Sequence, residues 1–587
     1  MPHSPNKLSK FWQELKRRKV VHVITVYASA SFVIIDLMGN LVEPLSLPAS
    51  LPTIVVIVLA VGFPLAIILS WLYDVTSKGI EKTKPLSEIE EDENPVIPNA
   101  WRIATYVSFV VIVGLVVMNI MGRNKLVRPD EIHRIMILPF HNYTGDDQLD
   151  NLISGMHYAL IVDVGRVINV ISKHTSDVYE DSEKTISQIA SELEVDAIVD
   201  PAVMCLGDTA CFRFAMITPE EEQIWTAEYR EPKSQLQNLN NKITKQIADE
   251  LKIELTADED RILAELRTID PEAGDAYNLG LYYLYKMDRG SFQKAQEYFN
   301  KAINKEPAWA PPYTGLASVW GYRKQFAMVS ISLANSKMHE YLNRALELDP
   351  NSADSHHHKA ILAVWTECNW VKGEEEFLKS IQLNPSNPMS RIFYAHLLGI
   401  LNRNDEAIEQ ADRALELDPQ GAQIQGLYAA VMMHMGNYQS AIEHAKKALA
   451  IDSTHRFAII VLSGAYRKIG EYDNWFAGFK RLDRYKDYTV ESIDSVFEEQ
   501  GYSAAVEMII KIDEAKANEG YLDFVLQGFR YLEINDYEKA IDCYEKAYET
   551  HNPNTPYIST RFYGYPLKNH PRYIELLMKM KLPLPED

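Results

Sequence analysis

A period of 34 residues in the second half of the chain constrains the fold more than any other feature of the sequence. Ala407 and Ala441 are 34 residues apart, and the phrase RALELDP occurs at 344–350 and again at 413–419. A fixed period of this length is typical of a solenoid, in which each unit buries its apolar face against its neighbours. The sequence therefore predicts a stacked array in this half of the chain.

The repeated phrases resemble the tetratricopeptide repeat. In that pattern small residues let two antiparallel helices approach closely, an aromatic residue fills the gap to the next unit, and a proline ends the second helix. Six clear units begin near residues 273, 310, 353, 388, 422 and 456, and two degenerate units occupy about 490–512 and 521–550. We predict an all-α superhelix over 270–560, closed by a C-terminal cap over 561–587.

The first helix of each unit should line the concave face of this superhelix, which is the binding surface of such arrays. The repeat register predicts six side chains there: Tyr322, His357, His396, His434, Arg467 and Lys468. Histidines and cations in an acidic protein suit an acidic peptide or a carboxylate, and histidines can make binding depend on pH. The alternative is that all six are ordinary solvated residues of the groove.

Three apolar stretches predict a membrane anchor over residues 20–125. They occupy 20–39, 51–73 and 103–122. Each reaches the roughly 20 residues that a helix needs to cross the hydrocarbon core of a bilayer. The second and third contain no charged residue, which disfavours the alternative of buried core helices. We therefore expect a helical anchor with three spans.

The basic N-terminus predicts the orientation of this anchor. Residues 1–19 hold six Lys or Arg and one Glu, a net charge of +5, whereas 40–50 holds no Lys or Arg. The positive-inside rule places the N-terminus in the cytoplasm, and three spans then export everything after about residue 123. Arg123, Lys125 and Arg128 on the outer side argue mildly against this orientation. The alternative topology keeps the array in the cytoplasm.

Residues 130–256 predict a small α/β domain. Short apolar runs predict strands over 134–140, 167–172, 197–205, 211–218 and 223–229, and helical spacing predicts helices over 149–164, 183–193 and 236–253. Strands that alternate with helices and then form a hairpin indicate a mixed sheet with helices packed on it.

Three runs in this domain are distinctive: ILPFHNYTGDD, LISGMHYAL and IWTAEY. With the strand–Gly-Asp–strand hairpin they resemble the TolB amino-terminal-like domain, which also occurs in the periplasmic part of CadC-type regulators. The run FWQELKRRKVVHVITVYASA and the later spans are similar to the anchor of bacterial membrane proteins that combine this domain with tetratricopeptide repeats. Some of those relatives carry a nucleotide cyclase or winged-helix domain before the anchor. With only 19 residues there, we expect neither in this chain.

Cys205 and Cys211 flank the predicted turn at 207–209. Their side chains lie on the same face of the sheet, and a three-residue tip would place them opposite each other within bridging distance. We expect a disulfide if the domain is exported. The alternative is a pair of half-buried thiols. Four cysteines in 587 residues exclude a disulfide scaffold and a multi-zinc protein.

The sequence contains no convincing enzyme signature. GxxxxGK[ST], HExxH, GxSxG and a strand-linked GxGxxG are all absent. His356, His357 and His358 are consecutive on a predicted helix, where neighbours point about 100° apart and cannot chelate one ion. A net charge of −22 disfavours non-specific nucleic-acid binding. We therefore expect no catalysis, cofactor, metal or nucleic acid.

These observations predict a multi-domain protein of the bacterial inner membrane, with a cytoplasmic N-terminus and periplasmic C-terminal domains. Its predicted function is a non-enzymatic scaffold or sensor that binds a protein or peptide, an acidic one being favoured. Self-association into a homo-oligomer stays open. The alternative is a membrane-bound signalling protein related to nucleotide-cyclase or transcription-regulator sensors, whose catalytic or DNA-binding output a partner supplies.

Overall fold

The computed structural model of the chain describes Leu15 and residues 20–41, 51–76, 79–82, 131–264, 269–286, 288–325, 328–482, 490–517 and 523–585. The chain divides into two compact units, Met1–Leu126 and Val127–Asp587.

Two helices and a hairpin form the described part of the first unit. Their bounds are α1 Val20–Leu41, α2 Leu51–Leu72, β1 Tyr73–Thr76 and β2 Gly79–Lys82. The two helices contact each other, and the Tyr27 hydroxyl of α1 donates a hydrogen bond of 2.8 Å to the carbonyl of Leu59 in α2.

One helix among the described residues is long and apolar enough to cross a membrane. It is α2, over Ile54–Trp71, whereas the apolar stretch found in α1 is the shorter Val23–Phe32. The predicted span at 103–122 lies outside the described residues. The structure thus provides one candidate span where the sequence predicts three.

The second unit begins with a mixed sheet, as the sequence predicts. Its elements are β3 Arg134–Ile137, β4 His141–Asn142, α3 Asp150–Val164, β5 Asn169–Val170, α4 Lys173–Asp177, α5 Ile186–Leu193, β6 Ala197–Leu206, β7 Thr209–Ile217, β8 Gln223–Pro232, α6 Leu236–Glu250 and α7 Ala257–Ala264. The strand order is β5-β3-β6-β7-β8, and β4 also pairs with β6. Strand β3 is parallel to both of its neighbours, and β6, β7 and β8 are antiparallel.

Helices cover both faces of strand β3. Ile135 and Ile137 point to the face that is packed by α3 and α6, and Met136 points to the face that is packed by α5. This alternation follows from the period of two in an extended strand. Strand β5 is shorter than the predicted run, because Ser172 ends it by capping α4, its side chain accepting the backbone N–H of Thr175.

The hairpin of β6 and β7 joins Cys205 and Cys211. They are direct partners in the strand register and form a disulfide, with a Cα–Cα distance of 4.8 Å.

After residue 270 the described residues form eight antiparallel helix pairs. They are α8 Pro271–Tyr285 with α9 Arg289–Lys305, α10 Pro311–Gln325 with α11 Ile331–Leu348, α12 Ala353–Trp365 with α13 Trp370–Leu383, α14 Pro388–Ile400 with α15 Asn404–Leu417, α16 Ala422–His434 with α17 Tyr438–Ile451, α18 Arg456–Lys468 with α19 Tyr472–Lys480, α20 Val490–Gln500 with α21 Tyr502–Ala517, and α22 Phe524–Glu533 with α23 Tyr537–Glu549. The first six pairs begin within two residues of the predicted repeat starts.

The junction of the first two pairs explains the combination of small and aromatic residues. The Phe299 ring lies against Gly280 and Gly315, where an added Cβ would come within 2.5 and 2.6 Å of ring atoms. Glycine therefore makes room for an aromatic side chain that fills the gap between successive inner helices.

The C-terminal segment folds back across the concave face of the array. It consists of the 3-10 turn Thr555–Ser559, α24 Arg561–Gly564, the 3-10 turn Tyr565–Leu567 and α25 Pro571–Lys579. The Ser559 hydroxyl donates to the carbonyl of Ile400 at 2.9 Å, and the Trp370 indole donates to the carbonyl of Met580 at 2.9 Å. The segment therefore contacts the third and fourth helix pairs as well as the last.

The α/β domain docks on the turns between the third, fourth and fifth helix pairs. The Ser172 and Thr175 hydroxyls donate to Asp418 at 2.5 and 2.9 Å. Ser386 accepts from the N–H of Val170 and donates to the carbonyl of Ile168. The two predicted domains are thus continuous within one compact unit.

Candidate ligand-binding cavity

The concave face of the array borders a cavity of about 810 Å³. Helices α10, α12, α14, α16 and α18 supply one side. The C-terminal segment supplies the other through Tyr557 and Tyr563, together with Pro553 and Asn554, which directly precede it. The groove that the repeats form is therefore bounded by the chain itself.

Four of the six predicted groove residues line this cavity: Tyr322, His357, His396 and His434. They come from four successive inner helices of the array. The Tyr322 ring stacks on Phe292 at a centroid distance of 5.8 Å. The repeat register thus brings together side chains that are far apart in the sequence.

The histidines of the cavity are buried among aromatic rings and hydroxyls. The Tyr557 hydroxyl and Nδ1 of His396 share a hydrogen bond of 3.2 Å, and the Tyr557 ring lies 4.5 Å from that of His434. Ser318 Oγ and Nε2 of His358 are 2.6 Å apart. These contacts fix the imidazoles as parts of the wall.

Burial keeps these imidazoles neutral. It lowers the pKa of His358 and of His396 to about 4, and it lowers the pKa values of His357 and His434 well below the ordinary value. Neutral histidines do not attract an acidic ligand by charge, and they do not titrate near pH 7. The expected role of the groove histidines as cations or as a switch near neutral pH does not fit this environment.

Arg467 and Lys468 lie away from the cavity wall, against the last helix pair. Lys468 Nζ is 3.2 Å and Arg467 Nε 3.9 Å from the Glu533 carboxylate. The Arg467 guanidinium also lies over the Phe529 ring, 4.2 Å from its centroid. Because Glu533 pairs with both cations, one of their two positive charges is compensated inside the fold.

Most of the remaining lining is apolar or aromatic: Ile361, Trp365, Met389, Phe393, Leu427, Met433, Phe457, Ile460 and Val461. These residues are not among the predicted groove residues, although the sequence contains a signal for them. His357, Ile361 and Trp365 recur at intervals of four on one helix, which places them on one face. The aromatic edge of the cavity could therefore have been predicted by extending the register along each helix.

Lys324 is the one lysine or arginine among the described residues that line the cavity. It donates to Asn335 Oδ1 at 3.0 Å. No ion pair of Lys324 occurs within the described part of the chain. Burial lowers its pKa to about 8. Lys324 is thus a half-buried cation in a mostly apolar wall.

Asp523 is the acidic residue of the cavity wall, and its oxygens are occupied. It accepts hydrogen bonds from the backbone N–H groups of Val525 and Leu526 and from the side-chain amides of Asn552 and Asn554. The carboxylate therefore serves as a helix cap and as an anchor for the C-terminal segment.

A second, polar crevice of about 280 Å³ lies in the α/β domain. Residues that follow β3 and β5 line it, where the chain leaves these adjacent parallel strands toward opposite faces of the sheet. Such a position is a common ligand site in α/β sheets. This crevice could not be predicted from the sequence, because it depends on which strands are neighbours.

The lysine of the crevice is paired with a carboxylate, and one of its acidic groups accepts a hydrogen bond from an amide. Lys173 Nζ lies 2.5 Å from Asp177, and the Asn142 amide donates to Asp150 at 2.6 Å. His157 hydrogen-bonds the carbonyl of Ile137 at 3.0 Å, and burial followed by the charge of Lys173 lowers its pKa to about 3. The cation of this crevice is therefore compensated within the domain.

Comparison with known families identifies the repeats. Residues 395–455 and residues 527–550 match models described as tetratricopeptide repeat. Both matches lie in the array, which therefore contains tetratricopeptide repeats.

Similarity to a curated protein is more distant and covers only part of the chain. "Putative adenylate cyclase 3" of Rhizobium meliloti (strain 1021) is 23% identical over 188 residues, which is 32% of this chain and 32% of that protein. The chain thus matches about a third of the length of this curated relative.

Parts of the chain are also similar to solved structures. The human IFIT1 dimer with PPP-AAAA is 17% identical, and the match covers 54% of this chain and 79% of that one with a TM-score of 0.33. PilF of Pseudomonas aeruginosa is 16% identical, with 39% and 98% covered and a TM-score of 0.29.

Proposed function

We propose that this chain is a non-enzymatic, membrane-anchored scaffold or sensor that captures a protein or peptide partner with its tetratricopeptide array. The observation that carries the proposal is the cavity of about 810 Å³ on the concave face of the array. Concave grooves are the binding surfaces of stacked helical repeats. A bounded apolar cavity with few polar groups is also the usual form of a ligand site.

A photo-crosslinking side chain at Ile460 tests this role in cells. Ile460 lines the cavity and is 44% exposed, so the substitution should not disturb the core. We expect a discrete adduct from this position, identified by mass spectrometry. The matched control is Leu378, which is 48% exposed on the outer helix α13 and does not line the cavity. Identical adducts from both positions, or none from Ile460, would contradict capture in the groove.

The membrane anchor and the exported array are part of the same proposal. Helix α2 is supporting evidence for the anchor, and the excess of basic residues at 1–19 supports a cytoplasmic N-terminus. The Cys205–Cys211 disulfide favours an oxidising compartment for the α/β domain. Alkaline phosphatase fused to the C-terminus should be active. If only a reporter that requires the cytoplasm is active there, the array is not exported.

A second candidate function is a signalling protein whose output is supplied by a partner. The 23% identity to a protein named as a putative adenylate cyclase favours this version. The resemblance to the TolB amino-terminal-like domain of membrane-bound regulators points the same way. We expect the purified chain to turn over no nucleotide by itself. Cyclic nucleotide formation by the purified chain would replace the scaffold with an enzyme.

A further inference from the structure

The ligand class of the cavity follows first from its size. The C-terminal segment occupies part of the groove, where Tyr557 contacts His396 and His434. The remaining space of about 810 Å³ is in the range of small-molecule sites, roughly 300–1,000 Å³. This space suits a compact ligand or the last residues of a peptide better than an extended chain that crosses the whole groove.

The lining determines what the body of the ligand can be. The Trp365 and Phe393 rings lie 5.5 Å apart in an edge-to-face arrangement, and both line the cavity. The neighbouring imidazoles are neutral for the reasons given above. An apolar or aromatic body would bury its surface here and leave few of its own polar groups without partners.

The charge of Lys324 determines the polar end of the ligand. An amide oxygen of Asn335 is its hydrogen-bond acceptor, at 3.0 Å. A half-buried cation without a carboxylate partner is costly, and an anion placed beside it would gain a charge-assisted hydrogen bond at low local dielectric. Ser318 and His358, which also line this side of the wall, hydrogen-bond each other. They do not supply a negative charge.

We propose that the cavity binds a ligand with one carboxylate on a compact apolar or aromatic body, the carboxylate pairing with Lys324 and the body lying among Trp365 and Phe393. This proposal rests on the proposed function of the groove and specifies its ligand. Two sources carry the same chemistry. One is the free C-terminus of a peptide that ends in apolar residues, and the other is a free aromatic carboxylic acid.

Matched acids and amides test the proposal on the purified full chain in detergent. The peptide pair is acetyl-Gly-Phe-Leu with a free or an amidated C-terminus, and the small-molecule pair is 1-naphthylacetate and 1-naphthylacetamide. Saturation-transfer NMR and calorimetry measure binding. We expect the acid of at least one pair to bind about tenfold more tightly than its amide, as a partly buried ion pair would give. Whichever pair shows the preference identifies the source.

Variants of Lys324 test whether this residue causes the preference for the acid over the amide. Lys324→Met should abolish the difference between acid and amide, and Lys324→Arg should retain most of it. Lys337→Met is the control, because Lys337 lies on the adjacent helix α11, pairs with Glu340 and does not line the cavity. It should leave the preference unchanged. Thermal melts of all three variants verify folding.

Three results would overturn the proposal. The first is equal binding of acid and amide by the native chain, and the second is a preference that persists in folded Lys324→Met. The third is that neither pair binds; if the crosslink from Ile460 then persists, the ligand class is wrong and groove capture stands. If the crosslink is absent too, the proposed function fails with it.

Discussion

Each of the two cavities in the second unit contains a lysine, and the two lysines differ in whether a carboxylate pairs with them. In the α/β crevice, Lys173 is 6% exposed and lies 2.5 Å from the Asp177 carboxylate. In the groove, Lys324 has an amide as its acceptor and no ion pair within the described residues. A charge that is compensated inside the fold needs no ligand, whereas one that is not compensated indicates where an anion would bind. The groove is therefore the better candidate for the binding site, although the crevice has the more familiar topology.

The largest expected effect is a loss of folding stability at acidic pH, because both cavities contain buried neutral histidines. Burial lowers the pKa of His157 in the crevice to about 3, and of His358 and His396 in the groove to about 4. Because the pKa of each histidine is lower in the folded than in the unfolded state, acid protonates the unfolded state first. The free energy of unfolding is therefore highest above about pH 6.5 and decreases as the pH falls toward 4. Each histidine should contribute about 3 kcal/mol to this loss. Denaturation midpoints between pH 7 and pH 4 measure it.

A histidine variant shows whether the groove takes part in this acid sensitivity. His396→Gln removes a titrating group while keeping a side chain that can hydrogen-bond to Tyr557. The variant should lose less stability between pH 6.5 and 4 than the native chain does. An unchanged slope would mean that His396 can be protonated in the folded state, and that the groove is wetter than the structure indicates.

The next largest effect is a difference in folding stability between variants of the two lysines. Lys173→Met leaves Asp177 without its cation and should lower the free energy of unfolding by about 2 kcal/mol, less than for a fully buried pair because Asp177 is 31% exposed. Lys324→Met removes a cation that has no carboxylate partner and should change stability by less than about 0.5 kcal/mol or raise it. Urea denaturation of both variants makes the comparison. Equal losses would show that Lys324 has a partner in the fold.

The pH dependence of ligand binding sharpens the same contrast. Burial lowers the pKa of Lys324 to about 8, so the free site loses its charge above that pH. Affinity for the naphthyl or peptide acid should be constant from pH 6.5 to 7.5 and should then fall by up to tenfold per pH unit.

The other groups around Lys324 should not produce this decline. The surrounding histidines are already neutral, burial raises the pKa of Tyr322 to about 12, and Asp523 is held by Asn552 and Asn554. Affinity for the matched amide should therefore not change above pH 8. A parallel decline for acid and amide would point to unfolding of the site and not to Lys324.

The smallest effect is expected at Arg467 and Lys468. Glu533 neutralises one of their two charges, and neither residue lines the cavity. Lys468→Glu should change the affinity for the acids by less than about twofold, whatever it does to stability. A loss as large as that in Lys324→Met would move the carboxylate site to the far end of the groove.

The sequence predicts the array and part of its site because both follow from a local period. Tyr322, His357, His396 and His434 lie at different depths along four successive inner helices but on the same helical face, so the concave face can be predicted from residue spacing. Lys324 could not be predicted as a lining residue from spacing, because its place in the wall depends on the reach of a long side chain at the end of its helix. The mixed sheet is equally readable, since its strands are short apolar runs between turns.

Contacts between distant segments could not be read in this way. Glu533 is 65 residues from Lys468, and Tyr557 is 161 residues from His396, yet each pair is in contact. No period in the sequence connects these partners. The docking of Asp418 against Ser172 and Thr175 is of the same kind, because a repeat turn has no local signal for a contact about 240 residues away.

Hydrogen–deuterium exchange of the full chain, with and without a saturating amount of the acid that binds, tests most directly whether the groove is the site. We expect slower exchange in α10, α12 and the C-terminal segment, with no change at residues 138–142 and 173–181 around the crevice. Protection confined to the crevice, or shared equally by both regions, would contradict this expectation.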